Sequence, residues 1–250
     1  MPSAPERTDA PLVELMDVHK GFERTEVLRG VSFALKHGQT LVIMGGSGSG
    51  KTVMLRCIAG LLRPDTGRIR DFGIFIERLS EEELLPIRRR MGYVFQGAAL
   101  FDSLTVHDNV AYPLREHTSL EEDEIKERVL HFLSLVGLTD GVLGLLPGEL
   151  SGGMRKRVGI ARALAVEPEV LLFDEPTAGL DPTNARLVGD LITRVCDTAI
   201  VVTHDVDLTK TVADRVAILI GGEFAALGER DEVLAADNPA VRAFLAGEAH

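Results

Sequence analysis

An α/β fold is predicted for this chain by three observations. The apolar runs Leu41 to Met44, Val170 to Phe173 and Ala199 to Val202 are continuous and not alternating, as in strands of a parallel sheet covered on both faces. Each run is followed by a stretch with helical character, which gives repeated βα units. Between the first run and its helix lies Gly45-Gly46-Ser47-Gly48-Ser49-Gly50-Lys51-Thr52, which fits the phosphate-binding pattern G-x-x-x-x-G-K-[ST].

That loop carries the first functional argument. Glycines let the backbone take dihedrals that a Cβ forbids and let amide N–H groups approach an anion. The following helix adds partial positive charge at its N-terminus. Lys51 is placed to reach β- and γ-phosphates, and the Thr52 hydroxyl to ligate Mg²⁺. A chance match in a chain of this length is on the order of one in a hundred, and the strand–loop–helix context makes it rarer.

The 250 residues, 45% hydrophobic and 26% charged, suffice for one domain with an inserted subdomain. A net charge of −11 disfavours general nucleic-acid binding, which rests on clustered Lys and Arg. No apolar run approaches the ~20 residues of a membrane helix. Residues 1–11 are polar and Pro-containing, without a signal-peptide core, and are expected to be a flexible tail. Cys57 and Cys196 fall in helical apolar patterns and are expected to be buried thiols of a reducing cytosol.

In chain order, Leu12 to Val18 and the alternating Val31 to Leu35 read as antiparallel, hairpin-linked strands, with Phe22 between them. A helix is expected over Val53 to Leu62 and a turn at Pro64 and Thr66-Gly67. Ser80 with Glu83 reads as a capping box, and Met91 to Phe95 as a strand ended by Gln96. From about 97 to 155 the pattern becomes helical, with expected caps at Thr105 and Ser119 and apolar spacing over Ile125, Val129, Phe132 and Val136. The acidic run Glu121 to Glu124 reads as a solvated first turn. Ser151-Gly152-Gly153 opens a helix to about Ala165, a second exposed set of N-terminal amides, followed by an electropositive Arg155-Lys156-Arg157. Asp174 and Glu175 end a buried strand, where ligands of parallel sheets bind. Asp181 precedes a further helix, His204 ends a third strand, a hairpin turns about Gly221-Gly222, and short helices occupy about 230–250.

In this order, Phe22, the phosphate loop, Gln96, Leu150-Ser151-Gly152-Gly153, Asp174-Glu175, Gly179-Leu180-Asp181 and His204 resemble the nucleotide-binding subunit of ABC transporters along nearly the whole chain. The resemblance implies a P-loop ABC domain over 12–250, with a RecA-like core, an N-terminal antiparallel β subdomain and a helical subdomain inserted at about 97–155. It implies ATP and Mg²⁺ as cofactors. Gly45 to Val53 would bind phosphate, Phe22 would stack on adenine, and Thr52, Gln96 and Asp174 would hold the metal. Lys51, Gln96, Glu175 and His204 would be catalytic, with Glu175 handling the attacking water. Two copies would face head to tail, so that Ser151, Gly152, Gly153 and Asp181 serve the partner's nucleotide.

A narrower similarity rests on Phe95-Gln96-Gly97-Ala98-Ala99-Leu100-Phe101, Asn109 to Glu116 and Ser151 to Met154, which look like the ATPases of bacterial Mce/Mla-type lipid transporters. It implies an integral-membrane permease, a periplasmic lipid-binding Mce-type protein beyond it, and residence on the cytoplasmic face of the inner membrane. Leu100, Phe101 and the Asn109 to Leu114 helix become candidate permease contacts. Two departures are visible: Met154 stands where many members have glutamine, and Val53 where a second hydroxyl residue is common. The alternatives are an importer ATPase for amino acids or another small solute, and a soluble ABC ATPase of the Fe–S assembly type.

Overall fold

The computed structural model describes residues 10–247 apart from residue 24. The expected tail at 1–11 lies almost wholly outside them, as do the last three residues. In order, the elements are β1 (Val13–Phe22), β2 (Thr25–Leu35), β3 (Thr40–Met44), α1 (Lys51–Ile58), β4 (Thr66–Asp71), β5 (Ile74–Phe75), α2 (Glu81–Arg88) and β6 (Met91–Val94). They continue as α3 (Val106–His117), α4 (Glu122–Leu135), α5 (Gly152–Leu164), β7 (Val170–Asp174), α6 (Pro182–Val195), β8 (Ala199–Thr203), α7 (Val206–Val212), β9 (Arg215–Ile220), β10 (Glu223–Glu229), α8 (Arg230–Leu234) and α9 (Pro239–Leu245).

Two sheets result. The larger has the order β10-β9-β3-β8-β7-β6, parallel except for β10, and the smaller is antiparallel with the order β2-β1-β4-β5. Side-chain alternation along the parallel strands feeds two cores. Val42, Met44 and Val201 point with Leu114, Phe132 and Ile160 into one core, which the helices cover. Leu41, Ile43, Ile200 and Val202 point into the other, shared with Leu15, Leu35 and Ile69 of the antiparallel sheet and Met54 and Ile58 of α1. Each such side chain contributes about 1.5–3 kcal/mol when fully buried. This double coverage explains the unbroken apolar runs in the parallel strands.

Most expected elements form, with several corrections. Thr66-Gly67 opens strand β4 and is no mere turn, because its residues pair with β1. Helix α1 begins at Lys51 and ends at Ile58, four residues short of Leu62, as Gly60 at φ +65 leaves the helix. Ser119 does not cap α4. Glu121 occupies that position and closes a capping box with Glu124. Thr105 and Ser80 do cap, through Asp108 N–H and Glu83 N–H. Cys57 is buried, which pushes its thiol up to about 11, but Cys196 lies past the end of α6 and is only part-buried.

Candidate functional site

The phosphate loop runs from the end of β3 to the start of α1, and its shape depends on particular glycines. Gly48 and Gly50 hold φ of +76 and +104. A Cβ on Gly50 would also lie 2.9 Å from Leu28 Cδ2 and 3.0 Å from the Val27 carbonyl. No side chain caps α1, so its first amides remain for an external acceptor. Lys51, 7% exposed, donates to the carbonyls of Gly45 (2.7 Å) and Gly46 (2.9 Å) and lies 3.4 Å from Glu175 Oε1. Its ammonium is thus held over the loop.

The ends of β7 and β8 face this loop because the three strands run parallel and in register. Thr52 Oγ1 donates to Asp174 Oδ1 at 2.8 Å, and the Tyr93 hydroxyl donates to Asp174 Oδ2 at 3.5 Å. Burial, less what the Thr52 bond returns, raises the Asp174 carboxyl above its ordinary value. Glu175 takes φ +48, a left-handed conformation that turns its side chain off the strand line. Its Oε2 accepts from Thr203 Oγ1 at 3.3 Å and lies 3.0 Å from His204 Nδ1.

Phe22, Gly46 to Val53, Gln96, Glu175 and His204 line one cleft of about 660 Å³, closed on another side by Val27, Val206, Phe244 and Gly247. Phe22 is 45% exposed and its ring lies 5.5 Å from Lys20 Nζ. Gly45 sits just behind, where a Cβ would lie 2.6 Å from the Leu219 carbonyl. The structure therefore brings together most of the predicted residues from five separate strands and loops.

It does not bring Ser151, Gly152, Gly153 or Asp181 to that cleft. Ser151 is exposed, and its Oγ accepts from the Met154 amide at 3.2 Å, capping α5 as expected. Asp181 caps α6 through the Thr183 and Asn184 amides, both at 3.0 Å. The two segments adjoin each other instead: a Cβ on Gly152 would lie 3.6 Å from Leu180, and one on Gly153 2.5 Å from Asn184 Oδ1.

The three cations at the start of α5 are each held by backbone carbonyls. Arg155 donates to the Leu150 carbonyl and Arg157 to that of Gly137, while Lys156 is buried and donates to the carbonyls of Gln96 and Glu175. These cations secure backbone, not phosphate. Lys156, Tyr93 and Thr203 are the site residues that sequence reasoning missed. The one available signal was a lysine whose helical register falls on the buried face. Asn109, a candidate permease contact, is fully buried, donates to the carbonyls of Phe101, Leu104 and Thr105, and accepts from the Phe101 amide. Val110, Ala111 and Leu114 are buried too, so only Phe101 and Tyr112, at 43% and 44%, are substantially exposed there.

Mg²⁺ fits the residues present. The donor set is all oxygen, as a hard cation requires, and Asp174 is a buried carboxylate whose two oxygens accept from the Thr52 and Tyr93 hydroxyls, with the Arg56 charge a further favourable influence. Among the described residues no group of three or more His, Cys, Asp or Glu side chains could hold a resident metal.

A glycine cradle with a buried lysine, facing an Asp-Glu pair on a parallel strand of the same sheet, one strand removed across β8, defines the P-loop ATPase class. The family follows from comparison with known proteins. The ABC transporter family profile matches residues 28–178, and this chain belongs to the ABC transporter family. It is 41% identical, over 94% of its length and 69% of the relative's, to the probable ribonucleotide transport ATP-binding protein mkl of Mycobacterium leprae. It is 42% identical to the chloroplastic protein TRIGALACTOSYLDIACYLGLYCEROL 3 of Arabidopsis thaliana, over 94% of this chain and 74% of that one. It is 43% identical to the methionine import ATP-binding protein MetN of Brucella abortus, over 90% and 61%. The chain thus spans roughly two thirds of the length of these relatives. Among solved structures, the dimeric cassette MJ0796 in a post-hydrolysis state with ADP and Pi superposes at a TM-score of 0.82, with 33% identity over 87% of this chain and 98% of that one. CbiO1 of Clostridium perfringens, part of the transporter complex cbiONQ, gives 0.82, with 30% identity over 95% and 96%. The chain is accordingly an ATP-binding, Mg²⁺-dependent ATPase subunit of an ABC transporter. Among the described residues no helix is long and apolar enough to cross a membrane.

Proposed function

We propose that this chain powers lipid transport of the Mce/Mla type from the cytoplasmic face of the bacterial inner membrane, working as a homodimer on a membrane permease. The observation that carries the dimer is geometric. One chain has two helix N-termini suited to phosphate, α1 and α5, yet Ser151 is absent from the cleft that holds Lys51. A second copy supplies the missing half. The dimeric state of the similar MJ0796 cassette supports this. The lipid cargo is supported by the plant relative, which is named for a glycerolipid, and by the Phe95 to Phe101 and Asn109 to Glu116 tracts. The methionine importer among the relatives favours the amino-acid alternative.

In this reading Phe22 stacks on the base, and Lys51 with the amides of Gly46 to Val53 neutralises phosphate charge, the larger part of catalysis in phosphoryl transfer. Thr52, Gln96 and Asp174 would hold Mg²⁺, which adds positive charge against the β- and γ-phosphates. Glu175 orients the attacking water and accepts its proton. His204, 3.0 Å from the Glu175 carboxylate, fixes that carboxylate's direction and reaches toward the γ-phosphate. Residues 97–155 form the arm that meets the permease. Its exposed Phe101–Tyr112 pair, with ring centroids 5.0 Å apart, is the contact, and a periplasmic Mce-type protein acts beyond the permease.

Replacing Glu175 with Gln is expected to lower turnover about 10²–10⁴-fold, the range for loss of a general base, while Mg-ATP still binds and drives dimer formation. Near-normal hydrolysis would refute the role. Purification in mild detergent followed by mass spectrometry tests the cargo: lipids held by a co-purifying permease support the proposal, whereas a soluble amino-acid receptor favours the importer.

A further inference from the structure

Helix α5 carries a stripe at three-residue spacing, Lys156, Gly159 and Arg162, that lies along the loop Gln96 to Ala99. Lys156 Nζ donates to the Gln96 carbonyl. Gly159 allows close approach, since a Cβ there would lie 3.1 Å from Ala98 Cβ. Arg162 donates to the carbonyls of Ala98 (2.9 Å) and Ala99 (2.8 Å). Ala98 and Ala99 hold φ of +62 and +47, left-handed values uncommon for alanine. The loop holds this conformation against α5, where Arg162 takes both of their carbonyls.

Lys156 goes further than the other two. The same ammonium donates to the Glu175 carbonyl at 3.2 Å, so one side chain spans two loops of the cleft. It is 6% exposed, and none of the ion pairs among the described residues includes it. Burial lowers its pKa, against the raising influence of Glu175 and Asp174. An aliphatic residue there would avoid the cost of burying an ammonium but would take this donor from both carbonyls, so what the lysine adds is a polar link between the two loops. Five residues ahead on the same helix, about 7.5 Å along its axis, is Ser151.

We propose that Lys156 is a positioning residue that couples the two clefts of the dimer: when Ser151 to Gly153 dock on the partner's nucleotide, Lys156 carries the shift of α5 to Gln96 and Glu175 of its own cleft. The inference rests on the dimer reading given above. Each cleft is thereby set by occupancy of the other, and hydrolysis is cooperative in ATP.

The test uses the full chain with Mg-ATP and three readouts: kcat, the Hill coefficient for ATP, and affinity for a fluorescent ATP analogue. Lys156→Met is expected to lower kcat at least tenfold and bring the Hill coefficient to 1, with affinity within twofold of wild type. Lys156→Arg, which keeps the donors, is expected to hold kcat within threefold and retain cooperativity. The proposal is overturned by a wild-type Hill coefficient of 1, by unchanged kcat and cooperativity in Lys156→Met, or by a loss of affinity matching the loss of kcat. If Lys156→Met does not fold, Lys156→Gln is read in the same way, and failure of both to fold assigns the residue to stability alone and overturns the coupling. Glu175→Gln with ATP, sized in solution, separates the two ideas. A monomer there removes the dimer reading, whereas a dimer alongside an uncoupled wild type removes only the role of Lys156.

Discussion

Asp174 and Asp71 each end a strand, one in the parallel sheet and one in the antiparallel sheet, and both are buried, at 4% and 0% exposure. Asp174 has hydroxyl donors on both oxygens and stands beside the phosphate cleft. Asp71 has no hydrogen-bond partner on either oxygen and faces the core between the sheets. Burial raises both carboxyls, with nothing opposing it at Asp71. The same desolvation therefore has opposite meanings. At the parallel edge it keeps a carboxylate poised for a cation, and in the antiparallel sheet it is a stability cost with no return in chemistry.

The largest effect that would break this comparison is at Asp174. Asp174→Asn is expected to lower Mg-ATP hydrolysis at least 100-fold, the scale of a lost transition-state contact, while the melting temperature does not fall, because a buried charge is removed. Calorimetry beside a phosphate-release assay checks both halves. A smaller effect sharpens it. Since the Asp174 carboxyl lies above its ordinary value, it protonates earlier as pH falls than an ordinary aspartate does, and the Mg²⁺ concentration for half-maximal activity should rise as pH is lowered from neutrality toward the carboxylate range. A flat Mg²⁺ requirement over that range contradicts the role.

The smallest effect concerns Asp71, and its sign is reversed. Its folded pKa lies above the unfolded value of about 3.9, so its favourable contribution is complete only below that pH and is lost as pH rises through the folded value. Asp71→Asn should match wild type near pH 4 and exceed it at pH 8 by about 1–3 kcal/mol. That is a rise in melting temperature of about 2–4 °C per kcal/mol, with ATPase activity unchanged. A variant less stable than wild type at pH 8 would show that Asp71 has a partner in solution.

Much of the site was legible because its chemistry is local. Residues 45–52 form a loop whose amides and lysine need only the strand before and the helix after. Ser80 and Thr105 cap helices through bonds three residues away, and the acidic run at Glu121 to Glu124 is solvated as read. Reading stopped where a residue's role depends on distant chain. Thr66-Gly67 has turn chemistry, and pairing with β1 made it a strand. Asn109 has the look of an exposed polar residue, and three carbonyls of the preceding loop bury it.

By itself, the sequence determined the βα succession, the phosphate loop and the acidic strand end, since dihedral preference, strand periodicity and helix caps act over a few residues. Only the tertiary structure decided that Thr52, Tyr93 and Asp174 share one network, that Lys156 turns inward to Gln96 and Glu175, and that Ser151 lies outside the cleft of its own chain. The reason is register. Those contacts join strands and helices up to 122 residues apart, and no local preference specifies which carbonyl a buried ammonium will meet.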